Sequence, residues 1–345
     1  MENESSKEEL EKAAKAAIER EEMEAEFRKK MSEAPTPATS SDSNQAPLGN
    51  ISERHHQYDD EEAARIKTVK DRMGYLELVQ DNLPSKGMFY LNDTKIFIRA
   101  ATVKEVRSFS TVEETNPMDV DEKLNDILLS CTKIEMKGKR GSFKDILEED
   151  RLFVILSVRE LTFKEGENRL MLTPNKIDCN ADDCPMRTKY ELRTNTLQSY
   201  GTNDDIEKYY NETERLFVMP TRSSGTIRMA PPTIGVMRVI TDYIKQKDAD
   251  KQSWDKAFLQ IIPYLQRDWR GFNDQSLFDM EVEYQGWNMT KYTTLFRLAE
   301  KMRIGVKQEM THECDRCGAE VTVPVDFPGG IKSLFVVSDL DTELL

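Results

Sequence analysis

The chain has 345 residues, more than a typical single domain, so its length does not limit the size of a hydrophobic core. Charged residues make up 32 % of it and the formal net charge is −14, a sign that repels nucleic-acid phosphates and anionic membrane headgroups. We therefore expect neither nucleic acid nor a membrane as a main partner. One short basic cluster is interpreted as a solvated turn; it comprises Lys137, Lys139, Arg140 and Lys144.

The N-terminal stretch lacks the apolar core of a signal peptide, and no run approaches the roughly 18 apolar residues of a membrane span. We therefore expect a protein that stays in a reducing cytoplasm. Four of the five cysteines form two close pairs. In a reducing compartment such pairs are typical of metal ligands rather than of disulfides.

The N-terminal region predicts a tethered arm. Residues 5–31 are rich in Ala, Glu, Lys and Arg and predict a helix whose apolar stripe is too thin to pack on a core. Residues 34–49, rich in Pro, Ser, Thr and Asn, predict a flexible linker. Two interpretations of this arm stay open: recruitment of a partner and simple solubilisation.

Local patterns predict the next elements in order. Apolar residues at helical spacing predict a helix from about Asp59 to Val79. Leu83 to Gly87 predicts a turn, and the alternation from Lys95 to Arg99 predicts a strand. A capping box formed by Thr102 and Glu105 predicts the start of a short helix.

Two longer helices follow. The helix from Asp119 to Cys131 places Cys131 on its apolar face, so we interpret this cysteine as a core residue and not as a ligand. Ser142 predicts the cap of the next helix, which continues through Val158 and is expected to lie at the centre of the core.

Extended runs border both cysteine pairs. Arg169 to Leu172 and Lys189 to Leu192 flank the first pair, and Arg303 to Met310 and Ala319 to Val325 flank the second. Two hairpins, each with a cysteine pair at its tip, are the architecture of a zinc ribbon.

A long insertion separates the two hairpins. Its patterns predict strands at Leu216 to Met219 and Thr226 to Met229, and helices near Ile234 to Lys245, Trp254 to Gln266 and Lys291 to Lys301. Its large aromatic residues are either partner contacts or, the commoner case, buried core; they are Trp254, Trp269, Phe272 and Trp287.

The cysteine spacing predicts one structural zinc site. Cys179 and Cys184 are separated by four residues, and Cys314 and Cys317 by two, spacings at which two thiolates converge on one metal ion. Gly318 directly follows the last ligand, where a tight turn can require positive φ. Four thiolates close the Zn²⁺ shell and leave no position for water or substrate, so the role is structural and not catalytic.

Two alternatives were weighed against this site. A redox role for the second pair is disfavoured, because the neighbouring Glu313 and Asp315 would raise the pKa of the thiols. His312 could replace a cysteine as a ligand, but four thiolates already fill the shell, so we interpret it as a surface residue of the hairpin.

Nothing positive in the sequence indicates an enzyme. The motifs of nucleotide-binding loops, serine hydrolases and helix-borne zinc proteases do not occur. The chain has three histidines, His55, His56 and His312, which leaves little for acid-base chemistry. An unrecognised carboxylate site stays open as an enzyme hypothesis, and it predicts acidic groups with raised pKa values.

Several segments together resemble the T4-type phage baseplate hub protein family. They are the turn Leu83 to Gly87 with Tyr90, the helix from Asp150 to Glu160, both cysteine pairs, and the C-terminal stretch Phe327 to Phe335. Their order along the chain carries the resemblance, which covers residues 80 to 340.

The resemblance implies a non-enzymatic protein that helps to build the central hub of a contractile tail baseplate. It implies other hub proteins and the tape-measure protein as partners. The implied location is the cytoplasm of the infected bacterium during assembly, or the baseplate of the virion tail. The carry-over is limited to the four cysteines and the turn near Gly87, because the N-terminal arm and the insertion depart from shorter family members.

The predicted fold is α+β, with a zinc-ribbon-like element, a helical body and a helical insertion. We expect four regions: an N-terminal helix and linker (1–57), an α/β body with the first cysteine pair (58–200), a mainly helical insertion (201–302), and the second cysteine hairpin with the C-terminal segment (303–345). The alternative function is that of a cellular zinc-ribbon adaptor which binds protein partners through its N-terminal helix.

Overall fold

The computed structural model describes residues 74–336, except 92, 138, 164–167, 175, 178–189, 222–224, 314–317 and 328. All of them belong to the compact unit Glu61–Leu345. The predicted helix at 5–31, the predicted linker at 34–49 and most of the helix predicted from Asp59 lie outside the described residues. The described part mixes helices with antiparallel sheets, as expected of an α+β protein.

The first sheet has the strand order β1-β2-β3-β4, with every pair antiparallel. Its strands are β1 (Leu76–Leu78), β2 (Lys95–Ile98), β3 (Thr132–Met136) and β4 (Lys139–Arg140). The strand predicted at Lys95 to Arg99 is confirmed as β2.

The helix predicted to reach Val79 is wrong at its C-terminal end. Leu76 pairs with Ile98 and Leu78 pairs with Ile96 in β1 and β2. Gly74 has φ 63, a left-handed conformation that typically ends a right-handed helix. Pairing with a distant strand thus prevails over the local apolar spacing.

Two helices cover this sheet, α1 (Val103–Ser110) and α2 (Pro117–Cys131). The predicted capping box is confirmed, since Glu105 Oε2 accepts a hydrogen bond from the backbone N–H of Thr102 at 2.7 Å. Cys131 is 0 % exposed, so its interpretation as a core residue is confirmed.

The predicted central helix is present but begins later than expected. Ser142 caps a single 3-10 turn, Phe143–Asp145, and not the helix itself. A second 3-10 turn, Glu148–Asp150, then leads into α3 (Arg151–Thr162), where every residue from 153 to 159 is buried.

Two extended residues between the turns explain this interruption. Leu147 forms an antiparallel bridge with Thr233, and the carbonyl oxygen of Ile146 accepts a hydrogen bond from Ile234 N at 2.8 Å. Backbone pairing with the insertion therefore replaces helical hydrogen bonds at these two positions.

After α3 the chain forms β5 (Met171–Leu172), β6 (Lys176–Ile177), β7 (Tyr190–Glu191) and α4 (Asp204–Tyr209). β5 pairs with β7, so the two extended runs predicted around the first cysteine pair lie side by side. A second sheet follows with strand order β10-β9-β8, and its strands are β8 (Tyr210–Asn211), β9 (Leu216–Thr221) and β10 (Gly225–Met229).

Four helices complete the region between the cysteine pairs. They are α5 (Ile234–Ala249), α6 (Lys256–Leu265), α7 (Asp274–Gln285) and α8 (Met289–Lys301). The predicted strands and three predicted helices are confirmed here, whereas α4 and α7 were not predicted. Leu277 is the one buried residue of α7, so this helix lacks the apolar stripe that identified the others.

The main hydrophobic core joins the body, the region 201–302 and the C-terminal segment. It includes Leu156 of α3, Ile227 of β10 and Val321 near the chain end. At its edge the rings of Phe109 and Phe335 meet edge to face with centroids 5.2 Å apart. In the part of the chain that the structure describes, no helix has the length and apolarity to cross a membrane.

A second, smaller core is formed by α5, α6 and α7. Phe272 is buried within it, and the half-buried rings of Trp254, Trp269 and Trp287 pack against it. These four aromatic residues therefore contribute to packing within the chain.

Candidate metal centre

The four predicted zinc ligands, Cys179, Cys184, Cys314 and Cys317, lie outside the described residues. The structure does describe the strands that border them. β6, β11 (Glu309–Glu313) and β12 (Glu320–Pro324) form one antiparallel sheet in the order β11-β12-β6. We call this three-stranded sheet the cysteine-flanking sheet.

Its register brings the borders of both cysteine pairs to one end of the sheet. Glu313 pairs with Glu320 across β11 and β12, and Ile177 pairs with Val321 across β6 and β12. β6 is antiparallel to β12, so the chain leaves β6 at the same end at which β11 finishes and β12 begins. The two halves of the predicted site thus share a sheet although a long insertion separates them in sequence.

Alternation explains why these residues form strands. Val321 and Val323 of β12 are fully buried, and Met310 of β11 is 1 % exposed, whereas Glu309, Thr311 and Glu313 face solvent. This inside-outside pattern is typical of a strand with one buried face. Gly318, between the second cysteine pair and β12, has φ 67, so the predicted need for positive φ after the last cysteine is confirmed.

A glutamine side chain ties the chain that follows the first cysteine pair to β11. Gln198 Nε2 donates to the carbonyl oxygen of Thr311 at 2.8 Å, and Gln198 Oε1 accepts from Thr311 N at 3.2 Å. The backbone continues the link, since Lys307 N donates to Gln198 O at 2.7 Å. The amide thereby satisfies both polar groups of one residue on an edge strand.

A ring contact provides a second tie. The rings of Tyr190, in β7, and His312, in β11, are stacked with centroids 4.7 Å apart and planes 14° apart. His312 is half-buried, so its interpretation as a surface residue is wrong. Its Nε2 atom is buried and has no hydrogen-bond partner among the described residues.

Within the described residues, no group of three or more His, Cys, Asp or Glu side chains is arranged to hold a metal ion. The acidic residues with the strongest environments lie elsewhere, at the start of α3. Sequence reasoning missed their role, although the run Glu148, Glu149 and Asp150 before an apolar helix is visible in the sequence.

Asp150 is a fully buried carboxylate with three hydrogen-bond donors. It accepts from Ser85 N at 2.9 Å, from Ser85 Oγ at 2.6 Å and from Tyr90 Oη at 2.9 Å. Burial raises its pKa to about 6, although these hydrogen bonds act in the opposite direction. Asp150 therefore fastens the turn at Leu83 to Gly87 onto the first turn of α3.

Glu149 connects α3 to the chain just before β11. Its Oε2 atom accepts a hydrogen bond from Gly305 N at 3.1 Å. Burial raises its pKa to about 7, and the nearby Glu148 and Asp150 add to this effect. Raised pKa values are what the enzyme hypothesis predicts, but both carboxylates are engaged by groups of the chain itself.

Asp145 has a comparable structural role on the insertion side. Arg270 donates to both of its carboxylate oxygens, at 2.7 and 2.8 Å, and Trp269 Nε1 donates at 2.9 Å. A bidentate arginine of this kind is among the stronger ion pairs in proteins. It holds the loop after α6 against the 3-10 turn that Ser142 caps.

Comparisons with protein-family models, with curated proteins and with solved structures found no match for this chain.

Proposed function

We propose that this chain is a non-enzymatic structural or assembly protein of a contractile phage tail baseplate hub, and that a zinc ion completes its fold. The zinc would be held by Cys179, Cys184, Cys314 and Cys317 in a zinc-ribbon-like element. With four thiolates the shell is closed, so the ion stabilises the fold and offers no position to a substrate.

The observation that carries the metal site is the register of the cysteine-flanking sheet. Cys314 directly follows Glu313, and Cys179 comes two residues after Ile177. Glu313 and Ile177 both lie at the end of the sheet where β12 begins. Since successive Cα atoms are about 3.8 Å apart, the covalent chain keeps a cysteine of each pair near that end.

Contacts among the segments that prompted the family resemblance support the hub assignment. The turn from Leu83 to Gly87 and Tyr90 both bond to Asp150 at the start of α3. The C-terminal segment packs on α1 through Phe335, and Lys332 N donates to Glu114 Oε1 at 2.8 Å. The resemblance therefore rests on segments that form one structural unit.

Metal analysis tests the zinc site. We expect one zinc per chain in the purified protein and none in the variant Cys314→Ser/Cys317→Ser, which should also lose thermal stability. The matched control is Cys131→Ala, a buried cysteine outside the site, which should keep its zinc. A parent protein that is free of zinc and equally stable would refute the metal site.

Co-purification separates the hub protein from the cellular adaptor. Expressed with tail baseplate genes, a hub protein should be recovered with other hub proteins or the tape-measure protein, and deletion of residues 1–57 should not abolish every such contact. An adaptor that works through its N-terminal helix should bind partners without tail proteins and should lose them on that deletion.

A further inference from the structure

A cleft of about 630 Å³ opens between the first sheet, the turn between β8 and β9, and the loop after α6. This size is typical of sites for small ligands. Three basic residues from three separate elements line it: Lys137, Arg215 and Arg267. None of the cleft residues belongs to the cysteine-flanking sheet.

Arg267 is the unusual group of the cleft. Its Nη1 atom donates to the carbonyl oxygen of Glu214 at 2.5 Å, while its Nη2 atom is buried and has no hydrogen-bond partner among the described residues. Burial lowers the pKa of Arg267, and the surrounding negative charges do not compensate for it. A buried guanidinium in this state is incompletely satisfied, and an added anion would satisfy it.

The two carboxylates of the cleft already have other partners. Glu214 Oε2 accepts from Arg228 Nε at 3.0 Å, and Asp93 lies 3.6 Å from Lys137 Nζ. Three cations and two carboxylates leave one net positive charge in this cleft, in a chain of net charge −14. The cleft therefore has room for one more negative charge.

The backbone holds these groups in place before any ligand arrives. Asn211 Oδ1 accepts from the N–H groups of Thr213 and Glu214, each at 3.0 Å, and so fixes the turn between β8 and β9. Arg215 has φ 52 at the end of this turn. A left-handed conformation costs energy for a residue with a Cβ and is common at functional sites.

We propose that this cleft binds a single carboxylate carried on an apolar group, as at an acidic side chain or the C-terminus of a peptide segment of a partner. Arg267 Nη2 donates to the carboxylate, Lys137 and Arg215 lie beside it, and Leu91 and Leu216 contact the apolar part. The site is new relative to the proposed metal centre and does not depend on it.

Charge and lining favour a carboxylate over phosphate. One net positive charge matches one negative charge, whereas a phosphate dianion would meet repulsion from Asp93 and Glu214. The two leucines also provide an apolar wall that phosphate cannot use. A guanidinium with a free N–H matches the planar carboxylate well.

Arginine side-chain NMR tests the proposal on the full chain. The protein is labelled with ¹⁵N-arginine, and the Nε–H signal of Arg267 is assigned from its loss in Arg267→Lys. Titration with hexanoate should shift this signal saturably, while hexanamide, its neutral analogue, and inorganic phosphate should not. An equal response to hexanamide would mean an apolar cleft only, and tighter phosphate binding would mean a general anion site; either result overturns the proposal.

A second variant avoids the risk of misfolding. The Lys137 side chain is 83 % exposed, so Lys137→Ser should leave the melting temperature unchanged and weaken hexanoate binding up to about tenfold, the value of one ion pair near 1 kcal/mol. Lys245→Ser, an equal change of charge on α5, should leave binding unchanged. Equal binding by both variants and the parent would overturn the assignment.

The source of the carboxylate is decided by two peptides. Acetyl-Leu-Glu-Leu-amide should bind at least as tightly as hexanoate, and acetyl-Leu-Gln-Leu-amide should not bind. Binding of hexanoate without binding of the glutamate peptide would assign the site to a free organic acid and overturn the peptide part of the proposal.

Discussion

Two regions of this molecule reach stability in different ways. Around α3, seven consecutive residues from 153 to 159 are buried in a large apolar core. In the cysteine-flanking sheet the strands are two to five residues long. Among its described side chains, Met310, Val321 and Val323 are the ones that are fully buried.

The difference concerns how much free energy each region gains from burial. A fully buried large apolar side chain contributes about 1.5–3 kcal/mol relative to an exposed one. The α3 region has enough such residues to be stable through packing, whereas the cysteine-flanking sheet has few. A structural zinc site contributes on the order of 10 kcal/mol to folding, so the two cysteine pairs lie beside the region that needs it most.

Removal of the metal should break the comparison most strongly. With a zinc chelator at neutral pH, we expect the amides of residues 309–313 and 320–324 to lose most of their protection from hydrogen exchange, because the sheet loses metal binding free energy on the order of 10 kcal/mol. The amides of 151–162 should remain protected. Hydrogen exchange read by mass spectrometry measures both regions at once.

Added zinc should restore the protection of the sheet, which excludes a direct effect of the chelator. If the sheet stays protected without metal, its packing alone is sufficient and the contrast between the two regions disappears.

A matched pair of truncations sharpens the comparison. Leu156→Ala and Met310→Ala each remove a side chain that is 1 % exposed, and each should cost about 2–5 kcal/mol in the free energy of unfolding when metal is present. After chelation, Leu156→Ala should keep its cost, because the α3 core is still folded. Met310→Ala should become silent, because the sheet around it is already unfolded.

Denaturant unfolding of the four states, two variants with and without metal, gives the measurement. An unchanged cost of Met310→Ala after chelation would mean that both regions unfold as one cooperative unit.

The sequence could predict what depends on neighbours in the chain. The strands beside the cysteine pairs were recognised from their alternation, and the capping box of α1 from two residues three positions apart. The spacing of the cysteines likewise predicts a metal site from local pattern alone. The ligands lie outside the described residues, so that site stays a prediction supported by the strands around it.

What the sequence could not predict depends on distant partners. Ile146 and Leu147 continue an apolar helical pattern, but backbone pairing with Thr233 and Ile234 makes them extended. Asp150 looks like one acidic residue among many until Ser85 is placed beside it. Non-local pairing and the burial of polar groups are decided by the whole fold, so local patterns do not reveal them.

Glu149 joins the two regions, and its titration gives the smallest of the expected effects. Its pKa is raised to about 7 by burial, from a usual value near 4.5. Below about pH 4.5 the folded and unfolded chains both hold this proton, so Glu149 does not alter stability there. Between about pH 4.5 and 7 the folded chain holds the proton and the unfolded chain has lost it, so the free energy of unfolding falls as pH rises.

Glu149→Gln should remove this part of the pH dependence. We expect the variant to match the parent near pH 4 and to be more stable at pH 8 by about 2 kcal/mol, less than the full shift because solvent partly screens the side chain. The glutamine oxygen can still accept from Gly305 N, so the link from α3 to the chain before β11 is kept. Denaturant unfolding from pH 4 to 8 measures the difference, and a variant less stable at pH 8 would mean that the ionised carboxylate stabilises this link.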